Sequence, residues 1–199
     1  MALIFDTETN GLPLCKGYSD FPDYKDLSKY DNARLVQISY IITDDKYNKI
    51  EESNFIIKAD NFEIKNHEFH GITEEISKKD GISFIEAAIC FSNSLDFVDK
   101  IIAHNINFDI NILRSELYRY NLYSIIDKIN SKKIVCTMKL TKNLVCAKFK
   151  SGNLKDPSLK ELYEFATGVP ITNQHNSEYD TLHLWKIVQI IYNKFKVII

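Results

Sequence analysis

The chain has 199 residues with 45% hydrophobic and 26% charged content, close to globular averages, which excludes disordered and fibrous classes. No apolar run approaches the ~18–20 residues of a membrane-spanning helix, and a strand-like run starts directly after Met1, leaving no room for a signal or transit segment. A net charge of −2 announces no global affinity for a polyanion, yet residues 132–155 hold seven lysines and no acid.

These features predict one domain over residues 1–199, free of membrane and retained in the cytoplasm. Cys15, Cys90, Cys136 and Cys146 lack C-x-x-C spacing, so reduced thiols are expected, with Cys90 and Cys136 buried as small hydrophobes in apolar runs.

In chain order, residues 2–8 read as a first strand, Arg34 to Ile42 as a second and Asn54 to Lys58 as a third. Residues 14–33, rich in Tyr, Phe, Asp and Lys, are too long for a hairpin turn and form an insert between the first two strands. Ser83-x-x-Glu86 is a capping box that opens a helix to about Val98. Ile101 to Ala103 is a short buried strand, and a helix follows from about Asn107 to Tyr120. Residues 133–136 give another strand, and a helix is expected over the lysine-rich stretch. Ser158-x-x-Glu161 caps a helix that stops at Gly168, and a last helix runs from about Ser177 to Lys196. Three consecutive strands followed by helices alternating with short strands predict an α/β fold, a mixed sheet flanked by helices.

The acids carry the chemistry. Asp6 and Glu8 are two apart on the first strand and therefore share a face. Two carboxylates about 4 Å apart repel by about 4 kcal/mol at an effective dielectric of 20, so a cation belongs between them. Asp109 borders the stripe Ile106, Ile110, Leu113, Leu117 on its helix. A first-turn acid that only complements the helix dipole is the alternative reading there. Asp180 leads Leu184, Ile187 and Ile191 at i+4, i+7 and i+11, which aims a carboxylate at the core, where it needs a partner or a metal. His175 precedes Asp180 by five residues.

Phe5-Asp6-Thr7-Glu8-Thr9-Asn10-Gly11-Leu12, then Ala103-His104-Asn105 with Phe108-Asp109, then His175-x4-Asp180, follow the order and spacing of three exonuclease motifs. The sequence resembles the DnaQ-like exonucleases in their histidine-containing DEDDh branch, over nearly the whole chain. His70-Gly71-Ile72-Thr73 and Leu159 to Gly168 also look like that family. Asn176 stands where the sister branch has tyrosine, and Ser177 where this branch usually has alanine.

The resemblance implies an RNase H-like fold and 3′→5′ hydrolysis. It implies two Mg²⁺ ions, replaceable by Mn²⁺, held by Asp6, Glu8, Asp109 and Asp180, with His175 as general base. Asp109 would act largely through water. It also implies substrate contacts from Thr7, Thr9, Gly11, Leu12, His104, Asn105 and Phe108, with Leu12 packing on the 3′ base.

Thr7 and Thr9 resemble the DNA-acting members, where oligoribonucleases typically have methionine, and the resemblance implies single-stranded or mismatched DNA 3′ ends over RNA, with RNA trimming as the alternative. A dead nucleic-acid-binding or polymerase-accessory module is the remaining alternative. The modest net charge fits either a tethered partner, such as a DNA polymerase, or an enzyme without processivity.

Overall fold

The computed structural model describes residues 1–17, 20–172 and 176–195. Five strands form one sheet: β1 (Ala2–Thr9), β2 (Leu35–Thr43), β3 (Lys49–Ile56), β4 (Lys100–Ala103) and β5 (Lys133–Cys136), in the order β3-β2-β1-β4-β5. β1 pairs antiparallel with β2 and parallel with β4; β2–β3 is antiparallel and β4–β5 parallel. This is the mixed sheet that the order of elements predicts.

The helices are α1 (His67–His70), α2 (Glu74–Asp80), α3 (Phe84–Leu95), α4 (Ile106–Arg119), α5 (Tyr123–Asn130), α6 (Thr137–Leu140), α7 (Lys142–Val145), α8 (Leu159–Thr167) and α9 (Ser177–Phe195). Both capping boxes read from the sequence form, at Ser83/Glu86 and Ser158/Glu161, and Gly168 closes α8 with φ of 77°. Lys196, at the expected end of the last helix, lies outside the described residues. Among the described residues no helix is long and apolar enough to cross a membrane.

The alternation of β1 sorts its side chains onto two cores. Leu3 and Phe5 pack with α3, α4 and α5 through Phe91, Ile110, Leu113 and Ile126. Ala2 and Ile4 pack with α8 and α9 through Leu162, Leu184, Ile187 and Ile191. With a period of two, Asp6 and Glu8 continue the α9 side, and Thr7 continues the α4 side. A register shift between Glu8 and Thr9 then ends the regular pairing with β2.

Three expectations are corrected. β3 begins at Lys49, not Asn54; as an edge strand it is mostly exposed and polar, so it lacks the apolar alternation that reveals a strand. The lysine-rich stretch is not one helix: α6 and α7 are single turns, and Cys146, at φ of 53°, ends α7. Cys90 is exposed because α3 buries Phe84, Ala87, Ala88, Phe91 and Leu95 on its other side. Cys136 is half-buried, and all four thiols are free.

Candidate active site

Asp6 and Glu8 on β1 and Asp180 on α9 each offer an oxygen, and these oxygens lie within 4.8 Å of one another. Three like charges at that spacing cost about 3–4 kcal/mol per pair at an effective dielectric of 20. Burial, then Asp109, Asp180 and Glu8, hold Asp6 well above the usual carboxylate range. Glu8 is pushed up to about 8 by burial, then by Asp180 and Asp109. An all-oxygen donor set whose charges repel fits a hard divalent cation, which would relieve the repulsion that the protein alone leaves in place.

Asp109 is brought near this group from the other side of the sheet. Its Oδ1 accepts hydrogen bonds from the Thr7 backbone N at 3.1 Å and from Thr7 Oγ1 at 2.8 Å. The alternation of β1 explains the pairing, since Thr7 faces α4 while its neighbours face α9. Burial raises Asp109 to about 7; the Thr7 bonds oppose that rise and Asp180 adds to it. Thr7, expected to touch substrate, is buried and orients Asp109. Thr7→Val should therefore lower turnover by about 10-fold, in the range for a group that orients a ligand, while Thr7→Ser stays near the unaltered rate. Steady-state kinetics on a labelled oligonucleotide check this.

Asp180 is held in place by a polar seam that the sequence reading did not single out. Ser177 Oγ lies 2.7 Å from Ser39 Oγ, and Thr181 Oγ1 donates to Ser39 O at 3.2 Å. Asn54 Oδ1 accepts from Gln37 Nε2 and Ser39 Oγ, and Asn54 Nδ2 donates to Glu178 Oε2. Gln37 and Ser39 are the β2 partners of Glu8 and Asp6, so the seam sets α9 against the carboxylates of β1. The available signal was two polar residues at i, i+2 within a mostly apolar strand. The hydroxyl at Ser177, where the resembling branch has alanine, is thus a fastening to β2. Ser39→Ala should cost about 1 kcal/mol, seen as a melting point lower by about 2–4 °C.

Of the other expected residues, Gly11 and Leu12 fall on one cleft and His104 and Asn105 on another. Asn10, Gly11 and Leu12 line one of about 520 Å³, with Leu12 73% exposed at its rim. A side chain at Gly11 would meet Asn32 O at 2.7 Å, so only glycine fits there. Thr9 Oγ1 donates to Gly11 O at 2.7 Å and braces the same turn. His104 and Asn105 line the other cleft, of about 750 Å³. Asn105 adopts φ of 59°, a left-handed conformation that asparagine tolerates, and α4 starts immediately after it.

Both ring nitrogens of His104 have protein partners: Nε2 lies 3.0 Å from Pro157 O and Nδ1 3.0 Å from Thr137 Oγ1. A carbonyl only accepts, so Nε2 carries the proton and Nδ1 accepts from the hydroxyl. Burial lowers this histidine to about 4, so it stays neutral and fixes the cleft wall. Phe108 is half-buried, edge-on to Phe21 of the insert at 6.2 Å. The insert carries a short 3₁₀ turn, Leu27–Lys29, and buries Tyr30, whose hydroxyl donates to Pro22 O. His70 is buried, with Nδ1 accepting from Ile72 N and Nε2 3.0 Å from Lys65 O. His175 lies outside the described residues.

An exonuclease family model, RNase_T, matches residues 3–188. No curated protein matches the chain. Similar solved structures include exonuclease X in complex with 5′ overhanging duplex DNA, at 18% identity and a TM-score of 0.60, over 98% of this chain and 93% of that one. E. coli exonuclease I in complex with a dT13 oligonucleotide is 19% identical, with a TM-score of 0.74, over 98% of this chain and 41% of that one. An exonuclease I from Methylocaldum szegediense is 19% identical, with a TM-score of 0.74, over 99% and 41%. The chain thus spans about two fifths of the exonuclease I structures it matches. Identities this low carry the fold alone, the RNase H-like arrangement of a mixed sheet between helices. The family match reaches further, from β1 with Asp6 and Glu8 to α9 with Asp180, and by it the chain belongs to the DnaQ-like exonuclease family.

Proposed function

We propose that this chain, as one domain over residues 1–199, is a divalent-metal-dependent 3′→5′ exonuclease of the DEDDh type. It removes nucleoside 5′-monophosphates from single-stranded or mismatched DNA ends in a proofreading or repair role. The observation that carries this reading is the convergence of the Asp6, Glu8 and Asp180 oxygens within 4.8 Å. Those three carboxylates, with Asp109 held beside them by Thr7, would hold two Mg²⁺ ions. Bound there, the ions would neutralise the phosphodiester oxygens and lower the pKa of the attacking water.

His175, five residues before Asp180, takes the proton of that water, since an imidazole with an ordinary pKa near 6.5 can accept it at neutral pH. The water oxygen bonds to phosphorus, the bond to the 3′ oxygen of the preceding nucleotide breaks, and that oxygen takes a proton from solvent and leaves as a hydroxyl, while His175 returns its proton to solvent. Leu12, exposed at the rim of its cleft, offers an apolar surface to any terminal base, which gives weak sequence preference.

Thr7 and Thr9 match the DNA-acting members of the family, and the solved neighbours include complexes with dT13 and with duplex DNA. The test is digestion of 3′- and 5′-labelled single strands, mismatched duplexes and RNA, with and without Mg²⁺. The expected result is stepwise shortening from the 3′ end of DNA, only with the ion and slower on RNA. Internal cuts, shortening from the 5′ end or metal-independent cleavage would overturn the reading.

A further inference from the structure

We propose that the tight hairpin at residues 148–154 and the cleft it walls form a base-stacking subsite for single-stranded nucleic acid. The subsite takes a nucleotide other than the terminal one. The strand's role as substrate rests on the exonuclease reading; its binding here does not.

The cleft, of about 750 Å³, runs from Asn105 at the start of α4 past Met138 and Leu159 to Phe149 and Leu154. Its volume lies within the ~300–1,000 Å³ of small-molecule sites. Leu12 lines a different cleft, so this one is separate from the surface offered to the terminal base.

Phe149 is 57% exposed and Leu154 45%, large apolar side chains facing water on one wall. Phe149 is nevertheless fixed in place. Lys148 and Leu154 form an antiparallel bridge, Phe149 N donates to Asn153 O at 2.9 Å, and Gly152 N donates to Phe149 O at 2.9 Å. Gly152, at φ of 87°, makes the turn. A phenyl ring presented on a short, hydrogen-bonded hairpin loses little freedom when a flat partner stacks on it.

Charge selects that partner. The hairpin places Lys148, on its bridge, and Lys150, in its turn, on either side of Phe149 in the chain. Elsewhere in the segment Lys139 and Lys142 pair with Asp156, and Lys155 pairs with Glu161. Among the described residues Lys148 and Lys150 make no ion pair; Lys132 and Lys133 make none either but lie at the far end of the segment, at the start of β5, so the unpaired charge beside the exposed ring is that of Lys148 and Lys150. A ligand with flat apolar faces on one side and anionic groups on the other matches this pattern, and a single nucleic-acid strand has that chemistry.

The test is fluorescence anisotropy of the full chain with a labelled, phosphorothioate-linked oligothymidylate of about twelve nucleotides, inside the ~4–16 nucleotide range of single-strand sites. Phe149→Ala should weaken binding by ~5- to 150-fold. Phe149→Trp should keep it. Phe149→Glu, whose side chain also stays in water, should weaken it at least as far as Phe149→Ala. Replacing Lys148 and Lys150 by Ala together should flatten the salt dependence of log affinity by ~1.4. Phe97→Ala, at an exposed ring before the opposite end of β4, should change nothing.

Equal affinity of the unaltered chain, Phe149→Ala and Phe149→Glu would overturn the subsite and leave the cleft to a protein segment. Failure of the exonuclease reading would appear separately, as absence of hydrolysis by the unaltered chain. The anisotropy differences would remain readable in that case.

Discussion

Asp180→Asn should lower divalent-dependent hydrolysis by at least ~100-fold and, in the same protein, raise the melting temperature of the metal-free chain. Loss of a group that only orients a metal ligand typically costs ~10–100-fold, so loss of a ligand belongs at or beyond the upper end. The gain in stability has the same origin. Asp180 is buried, and its oxygen sits within 4.8 Å of oxygens of Asp6 and Glu8. His183, one turn along α9, offers no compensating charge, because its Nδ1 is 3.8 Å away and burial lowers its pKa. Asparagine keeps the shape and removes the charge that raises Glu8 and adds to the rise of Asp6, a trade of activity for stability common at active sites. Melting curves in EDTA and initial rates in Mg²⁺, on one preparation, check both halves. A variant that loses activity but melts lower than the unaltered chain would mean that Asp180 fastens α9, and that the crowding is not what its charge contributes.

Much of this arrangement is legible in the sequence because it is periodic. Asp180 could be placed from Leu184, Ile187 and Ile191, and Asp6 with Glu8 from their spacing on an apolar strand. The position of Asp109 was not legible in the same way. Its contact with Thr7 depends on which helix covers which side of the sheet, and that is set by long-range packing. The seam of Gln37, Ser39, Asn54 and Ser177 joins residues up to 140 apart, each unremarkable alone. β3 was misplaced because an edge strand needs no apolar face, and the lysine-rich stretch because single turns of helix carry too few residues to show a period. α5 (Tyr123–Asn130) was passed over although it buries Ile125, Ile126 and Ile129, since it is only eight residues long.

The stability of the metal-free chain should fall as pH rises from about 6.5 to about 8, and the stabilisation by Mg²⁺ should grow over the same window. Unfolded Asp and Glu titrate near pH 4. In the folded chain Glu8 is pushed up to about 8 and Asp109 to about 7, and Asp6 is held well above the usual range. Between those limits the folded state carries more protons than the unfolded one, so unfolding releases protons and stability drops with pH, by about 1.4 kcal/mol per pH unit for each proton retained.

Buried histidines act in the opposite sense at lower pH. His104, lowered to about 4, and His70 and His183, lowered as well, make stability rise as pH passes through about 6.5 and change it little above about 7.5. Asp44, Asp99, Asp156, Glu86 and Glu161 are lowered, and they act only below the ordinary carboxylate range. The Met1 amino group, raised above 8.0 first by its hydrogen bond to Asp45, adds a fall of the same sign only near the top of the window, so most of the change from 6.5 to 8 belongs to the crowded acids.

A divalent cation binds their ionised form, so it competes with those protons and gains hold as they leave. The expected record is a melting temperature in EDTA that declines across the window, and a Mg²⁺-induced rise that is larger at pH 8 than at pH 6.5. Asp180→Asn should flatten the decline, since Asp180 is the first charged neighbour that raises Glu8. A Mg²⁺ shift of equal size at both pH values would mean that the ion binds elsewhere, or that these acids are already ionised without it.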